Sequence, residues 1–300
     1  MLLALGRAVA VAACSAVVAG RGALPSSALS VRANDGWRVF WNSESAPVSF
    51  DTSRAALSKL VTWHRGMRSV EWSDLELAGT GEAWRTRLIV ARIDPSRATI
   101  ELDTAFSGTR AAWRVDRAWA GVALAVNAGQ FVQSMPWGWV MLDGHQFLPP
   151  GEGPLATTVS FSYDGGVHFT HGSTPPAHGV RWAFQSYPTI LANGDVPEPL
   201  RQAGCGVDVG HRDARLAIGV DARGRLLIAM TRFDAFGVAL SSVPFGVTTP
   251  EMAAVMGSLG ARDAVLLDGG ISAQMVFHDA SGALHRWPGI RAVPLALIVR

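Results

Sequence analysis

From residue 87 onward the chain alternates short apolar runs with turn residues, the pattern of a strand-rich domain. Residues 88–93 and 98–102 flank a tight turn at Asp94-Pro95-Ser96, and residues 215–220 and 225–230 flank Asp221-Ala222-Arg223-Gly224 as a hairpin. Between residues 137 and 200 short β-like runs are separated by Asp143-Gly144, Asp164-Gly165-Gly166 and Asn193-Gly194. Residues 122–126 read as a buried strand ending in Asn127, and residues 264–267 as another ending in Asp268-Gly269-Gly270. A last hairpin (272–277 and 283–287) and a terminal strand (295–299) close the chain. Helical spacing is confined to three segments. Residues 52–60 form a short candidate, and residues 111–120 place Ala112, Val115 and Trp119 at i, i+3 and i+7 before Gly121. Thr249-Pro250-Glu251 opens a third, with Met252, Val255, Met256 and Leu259 on one face and Gly260 at its end. The pattern predicts one α+β domain over residues 85–300, strand-rich, with a mixed sheet and two or three helices. Residues 31–84, with five irregularly spaced tryptophans (Trp37, Trp41, Trp63, Trp72, Trp84), read as an N-terminal arm.

Residues 1–30 have a different character. Residues 2–19 are almost wholly apolar and small, with Arg7 as the one charge, and a Gly/Pro/Ser-rich run follows Arg21. This is the pattern of an export signal, and its apolar core is short for a bilayer span, which favours cleavage. Val11-Ala12-Ala13-Cys14 also resembles a lipobox, so a lipid at Cys14 is the one membrane attachment expected. The protein is therefore expected outside the cytoplasm, in the periplasm, in the cell envelope or secreted. With two cysteines in the chain, Cys14 and Cys205, and one of them in the signal, a disulfide framework is not what holds the domain together.

Composition removes several chemistries. The 26 basic and 24 acidic side chains leave a net charge of +2, too little for a broad field toward nucleic acid. Lys59 is the sole lysine and no glycine precedes it, which excludes a phosphate-binding GxxxxGK loop and weighs against lysine Schiff-base or pyridoxal chemistry; no cofactor is expected. GxGxxG and GxSxG are both absent. His168 and His171, three apart on a strand, would point to opposite faces, so no metal site is expected there.

What remains is polar residues where strands end in glycine-permitted turns. Asn127 precedes Ala128-Gly129, and Asp268 precedes Gly269-Gly270, with Ser272 and Gln274 on one face of the following strand. These segments resemble the phosphodiester glycosidase family over roughly residues 85–300. The run Gly246-Val-Thr-Thr-Pro-Glu-Met-Ala through Leu267-Asp268-Gly269-Gly270-Ile271-Ser272 is similar to the family's helix and LDGGGS turn. Residues 125–131 are similar to its AINGGFF segment, and residues 214–219 to its PRTAIG segment; Phe184-Gln185-Ser186-Tyr187-Pro188 also fits. Ala128, Gln130, Leu216 and Ile271 depart from the family pattern.

The resemblance implies an exported enzyme that cleaves a sugar from a sugar-1-phosphodiester in a glycan, a teichoic-acid-like polymer or an exopolysaccharide. Its oxocarbenium-like transition state calls for a carboxylate near C1, which Asp268 would supply. Arg215 would neutralise the departing phosphate, and Asn127 completes the expected catalytic group. Gln185, Ser272 and Gln274 would hold sugar hydroxyls beside the backbone of Gly129, Gly269 and Gly270. His211 is a candidate base or phosphate contact, and Trp137 a stacking surface. A second carboxylate should activate water; Asp208, Asp221 and Asp143 are the candidates near these segments. Two other classes stay open: a secreted module that binds polysaccharide without cleaving it, and a P–O phosphodiesterase, which would need a metal cluster.

Overall fold

The computed structural model describes residues 22–51, 55–117, 121–176, 178–235, 243 and 245–300. The nine-stranded sheet at its centre runs in the order Thr189–Leu191, Ala261–Leu267, Leu216–Asp221, Leu226–Phe233, Thr86–Ile93, Val70–Gly79, Ala28–Ala33, Gly36–Asn42, with His64–Arg65 attached to Val70–Gly79. A five-stranded sheet (Leu284–Trp287, Met275–His278, Leu124–Asn127, Leu295–Val299, Ile100–Thr104) and a second one built from strands between residues 140 and 186 cover one of its faces. The helix Thr249–Ser258 covers the other. Side chains of the central strands divide between the two cores with period two. Ala217, Leu227 and Ala229 meet Met252, Val255 and Met256 of the helix. Leu216, Ile218, Ile228 and Met230 meet Leu124, Val126, Met275 and Leu297 of the first five-stranded sheet.

Thr249–Ser258 is the one α-helix among the described residues, and the described strand pairs are all antiparallel. The fold is therefore strand-dominated and antiparallel, not an α+β domain with a mixed sheet and two or three helices. Topology explains the sheet. The helix connects Leu226–Phe233 to Ala261–Leu267, but these strands flank Leu216–Asp221 and each pairs antiparallel with it, so no parallel ladder forms.

Long-range pairing explains the helices. Over residues 111–120 the helical spacing is overridden by extended backbone: Trp113 N–H donates to Val293 O at 2.9 Å, and Val293 N–H returns to Trp113 O at 3.0 Å. What is left there is one 3-10 turn, Val115–Arg117, with residues 118–120 outside the described ones. Over residues 52–60 a 3-10 turn, Leu57–Lys59, buries Leu57, and residues 52–54 lie outside the described ones. Helical spacing alone does not hold such segments, because most helical stability comes from tertiary packing of the apolar face.

The surviving helix has the strongest local signals. Thr248 is its N-cap; its hydroxyl accepts from Glu251 N–H at 3.3 Å, and the Glu251 carboxylate accepts from Thr248 N–H at 2.8 Å, a reciprocal capping box. The same carboxylate, fully buried, receives both Nη groups of Arg212 at 2.7 and 2.8 Å and the hydroxyl of Ser27. Arg212 is thereby fixed to the start of the helix immediately before Asp213. Glu251→Ala would remove the carboxylate half of the capping box and strand the Arg212 guanidinium, so urea denaturation should show a loss of about 3–5 kcal/mol. A loss below about 1 kcal/mol would mean that Arg212 finds water or another partner.

Candidate active site

The ends of three strands converge: Asn127 closes Leu124–Asn127, Asp268 follows Ala261–Leu267, and Arg215 precedes Leu216–Asp221. The Asn127 amide links two of them. Its Nδ2 donates to Asp268 O at 2.9 Å, and its Oδ1 accepts from Gln274 N–H at 3.0 Å. Gly129 O accepts from Asp268 N–H at 2.9 Å, so both main-chain polar groups of Asp268 are held by the segment 127–129. The Ser272 hydroxyl is near enough to the Asp268 carboxylate to pull its pKa down.

The turn after Asp268 needs glycine. Gly270 has φ +56°, and a Cβ there would lie 2.8 Å from Oδ2 of Asp213 and 3.1 Å from its Oδ1. Gly270 N–H donates to Ala214 O at 2.6 Å, so the two chain segments are in direct contact. Asp213 thus lies against Gly270, its charge reaches Asp268, and the sequence alone does not single it out. Nothing local marks it, because its place depends on a turn more than fifty residues away. Of the three carboxylates expected to activate water, Asp208 acts on Arg215 through its charge. Asp221 pairs with Arg225 at 2.7 Å, Asp143 with Arg181 at 2.8 Å, and exposed Asp208 accepts the N–H groups of Gly210 and His211 at 3.0 Å.

Burial pushes the Asp268 carboxyl above the usual carboxylate range, against the Ser272 hydroxyl and the charge of Arg291; the negative charge of Asp213 pushes it further up. Burial likewise raises Asp213, opposed by Arg215, by the hydrogen bond from Ala214 N–H at 2.8 Å and by His211. Arg215 is held beside this pair by donation from Nε to Val247 O at 3.1 Å and from Nη2 to His211 O at 2.7 Å, and its main chain by Thr231. Exposed His211 has its Nε2 3.9 Å from Asp213 Oδ2.

The remaining residues form a surrounding frame. Buried Gln274 accepts Val115 N–H at 3.0 Å and donates to Arg291 O at 3.1 Å. Buried Gln185 accepts Trp139 N–H and Gly151 N–H, each at 2.7 Å, and so fastens the loop that carries Trp137. Trp137 packs edge-to-face on Tyr187, ring centroids 4.7 Å apart. Leu216, at one of the departures from the family pattern, is fully buried in the core, whereas Ile271 at another is 41% exposed.

The sequence profile of the phosphodiester glycosidases matches residues 120–300, more than half of the chain. The chain belongs to the phosphodiester glycosidase family. Membership places it among glycosidase-type hydrolases. Comparison with curated proteins gives no significant match. Among solved structures the chain is similar to the zebrafish N-acetylglucosamine-1-phosphodiester alpha-N-acetylglucosaminidase catalytic domain auto-inhibited by its pro-peptide. The TM-score is 0.56 at 18% identity, over 78% of this chain and 82% of that one, a likeness of fold. A hypothetical protein from Synechocystis aligns with TM-score 0.48 at 14% identity, over 77% of this chain and 62% of that one.

The raised carboxyls have a consequence for stability with a definite sign. Between the ordinary carboxylate pKa and the raised folded value, the folded protein binds more protons than the unfolded chain. Stability therefore falls as pH rises through that window and stays lower above it. Asp213→Asn in this phosphodiester glycosidase should raise Tm at neutral pH, and the gain should fade near pH 3, about where wild type is protonated in both states. Thermal melts at the two pH values decide it; an equal gain at both would show that the charge is not the cause.

Proposed function

We propose that the chain is an exported enzyme that hydrolyses the anomeric C–O bond of a sugar-1-phosphodiester at the cell surface, with Asp268 and Asp213 as its two carboxylates. The observation that carries this reading is their placement at the Gly269–Gly270 turn, both half-buried and both pushed up in pKa. A coupled pair of that kind can keep one member ionised while the other takes or gives a proton. Asp268, fixed through its backbone by Asn127 and Gly129, stands beside C1 and stabilises the positive charge that develops there. The C1–O bond breaks, and its electron pair stays on the departing phosphate monoester. Arg215 receives that charge with guanidinium N–H groups not used on Val247 and His211, and exposed His211 adds a second contact to phosphate. Water bonds to C1 and its proton passes to Asp213.

Within this scheme Asn127, Gln185 and Gln274 are positioning residues, since their amides are engaged by the protein's own backbone. Ser272 orients Asp268, while the Gly129, Gly269 and Gly270 turns let main chain approach the substrate. The apolar segment 2–19 supports export, with Cys14 as a candidate lipid anchor; among the described residues no helix is long and apolar enough to cross a membrane.

Purified protein acting on a chromogenic α-linked sugar phosphodiester tests the reading. Asp268→Asn and Asp213→Asn should each lower kcat by roughly 10²–10⁴, and Arg215→Lys should lower kcat/KM because an ammonium cannot supply the planar fork. Turnover by Asp268→Asn equal to wild type would remove Asp268 from the mechanism. Wild type that binds polysaccharide without cleaving any phosphodiester would make the protein a binding module.

A further inference from the structure

We propose that a cavity next to the carboxylate pair receives the alcohol part of the phosphodiester, and that this alcohol is apolar, of the alkyl or isoprenoid kind. The proposal rests on the glycosidase reading of Asp268 and Asp213 and adds the substrate class. The cavity, of about 520 Å³, is walled by Trp137, Leu155, Tyr187, Pro188, Pro199 and Val207.

Its position follows from hydrogen bonds. Gly129, which holds Asp268, is followed by Gln130, whose carbonyl accepts Trp137 N–H at 2.8 Å and whose side chain donates to Tyr187 O at 3.0 Å. One wall of the cavity is thus tied to the residue next to the one that holds Asp268. The lining also includes Asp208, whose charge acts on Arg215. The cavity therefore lies beside the segment that holds Asp268 and within electrostatic reach of Arg215.

Its chemistry follows from the lining. The acidic side chains there are Asp208 and Glu152, both exposed, and among the described residues no cation lines the cavity. Two carboxylates repel a phosphate from the interior and leave it at Arg215, so the group inside is neutral. A polyhydroxylated group would need convergent donors and acceptors. The walls offer mainly aliphatic carbon, two aromatic rings and the prolines Pro154, Pro188 and Pro199, which carry no N–H; besides the two carboxylates, the Tyr187 hydroxyl and the Trp137 indole N–H are the hydrogen-bonding groups that the rings bring. Tyr187 is 43% exposed at the mouth, so apolar surface is available to a ligand before it binds. An apolar chain there removes that surface from water.

Calorimetric titration of the full-length protein with methyl phosphate, hexyl phosphate and glucose 6-phosphate tests the proposal. Hexyl phosphate should bind about tenfold tighter than methyl phosphate or better, from the methylenes it buries. Val207→Asp and, with less risk to folding, Tyr187→Ala should bring hexyl phosphate down toward the methyl phosphate level. Equal affinities for the two alkyl phosphates, or tighter binding of glucose 6-phosphate than of hexyl phosphate, would overturn the proposal. The underlying reading is tested apart from it. A hexyl preference in a protein that hydrolyses no hexyl sugar-1-phosphodiester keeps the cavity assignment and sinks the glycosidase scheme; hydrolysis without a hexyl preference does the reverse.

Discussion

The side-chain amide of Asn127 is the contact on which the site depends. It is buried, and it satisfies a carbonyl at Asp268 and an N–H at Gln274, groups 141 and 147 residues away. Leu124–Asn127 belongs to a five-stranded sheet and Ala261–Leu267 to the nine-stranded one, so this single amide joins the ends of two sheets. A buried amide with both halves paired is stable where it sits and costly to disturb, because either partner left alone would be an unsatisfied polar group. Every other element of the site is measured from that clamp: the Gly269–Gly270 turn, the approach of Asp213 and the place of Arg215.

Electrostatics around the clamp is arranged at the expense of stability. Two carboxylates are brought together with part of their solvation removed, and the charge is offset locally, by Arg215 at Asp213 and by Arg291 at Asp268, not by a field over the whole surface. Behind the same turn lies a second buried cation. Arg232 donates to the carbonyls of Ala273, Pro288 and Trp287, and burial pulls its pKa down to about 10. Carbonyl oxygens serve there as the counterweight to its charge, and they fix the far end of the 270–273 turn as Asn127 fixes the near end.

What could be read from the chain divides by range. The hairpin around Asp221, the capped helix and the Asp268-Gly269-Gly270 turn announce themselves through residues a few positions apart, and the structure has each of them. The helix expected over residues 111–120 gave way to pairing with Val293, and no local pattern contains that partner. Asp213 was invisible for the same reason. Its burial and its opposition to Asp268 come from a strand that returns after the helix, while Asp208 and Asp221, equally acidic and equally near the motif, remain in their own turns. The amides of Gln185 and Gln274 were legible as polar residues but not as braces, since their backbone partners come from other loops.

The recognisable family sequence begins at residue 120, yet the central sheet does not. Thr86–Ile93 lies between Leu226–Phe233 and Val70–Gly79, paired along its whole length on both sides, and strands starting at Ala28 continue the sheet beyond. Cutting the chain where the likeness starts would leave Leu226–Phe233 as a long apolar edge with its hydrogen-bonding groups open to any other strand, the situation that leads to aggregation. The unit that can be inherited or transplanted intact is therefore larger than the unit that sequence comparison can see, and its boundary is drawn by backbone hydrogen bonds between segments with no motif of their own.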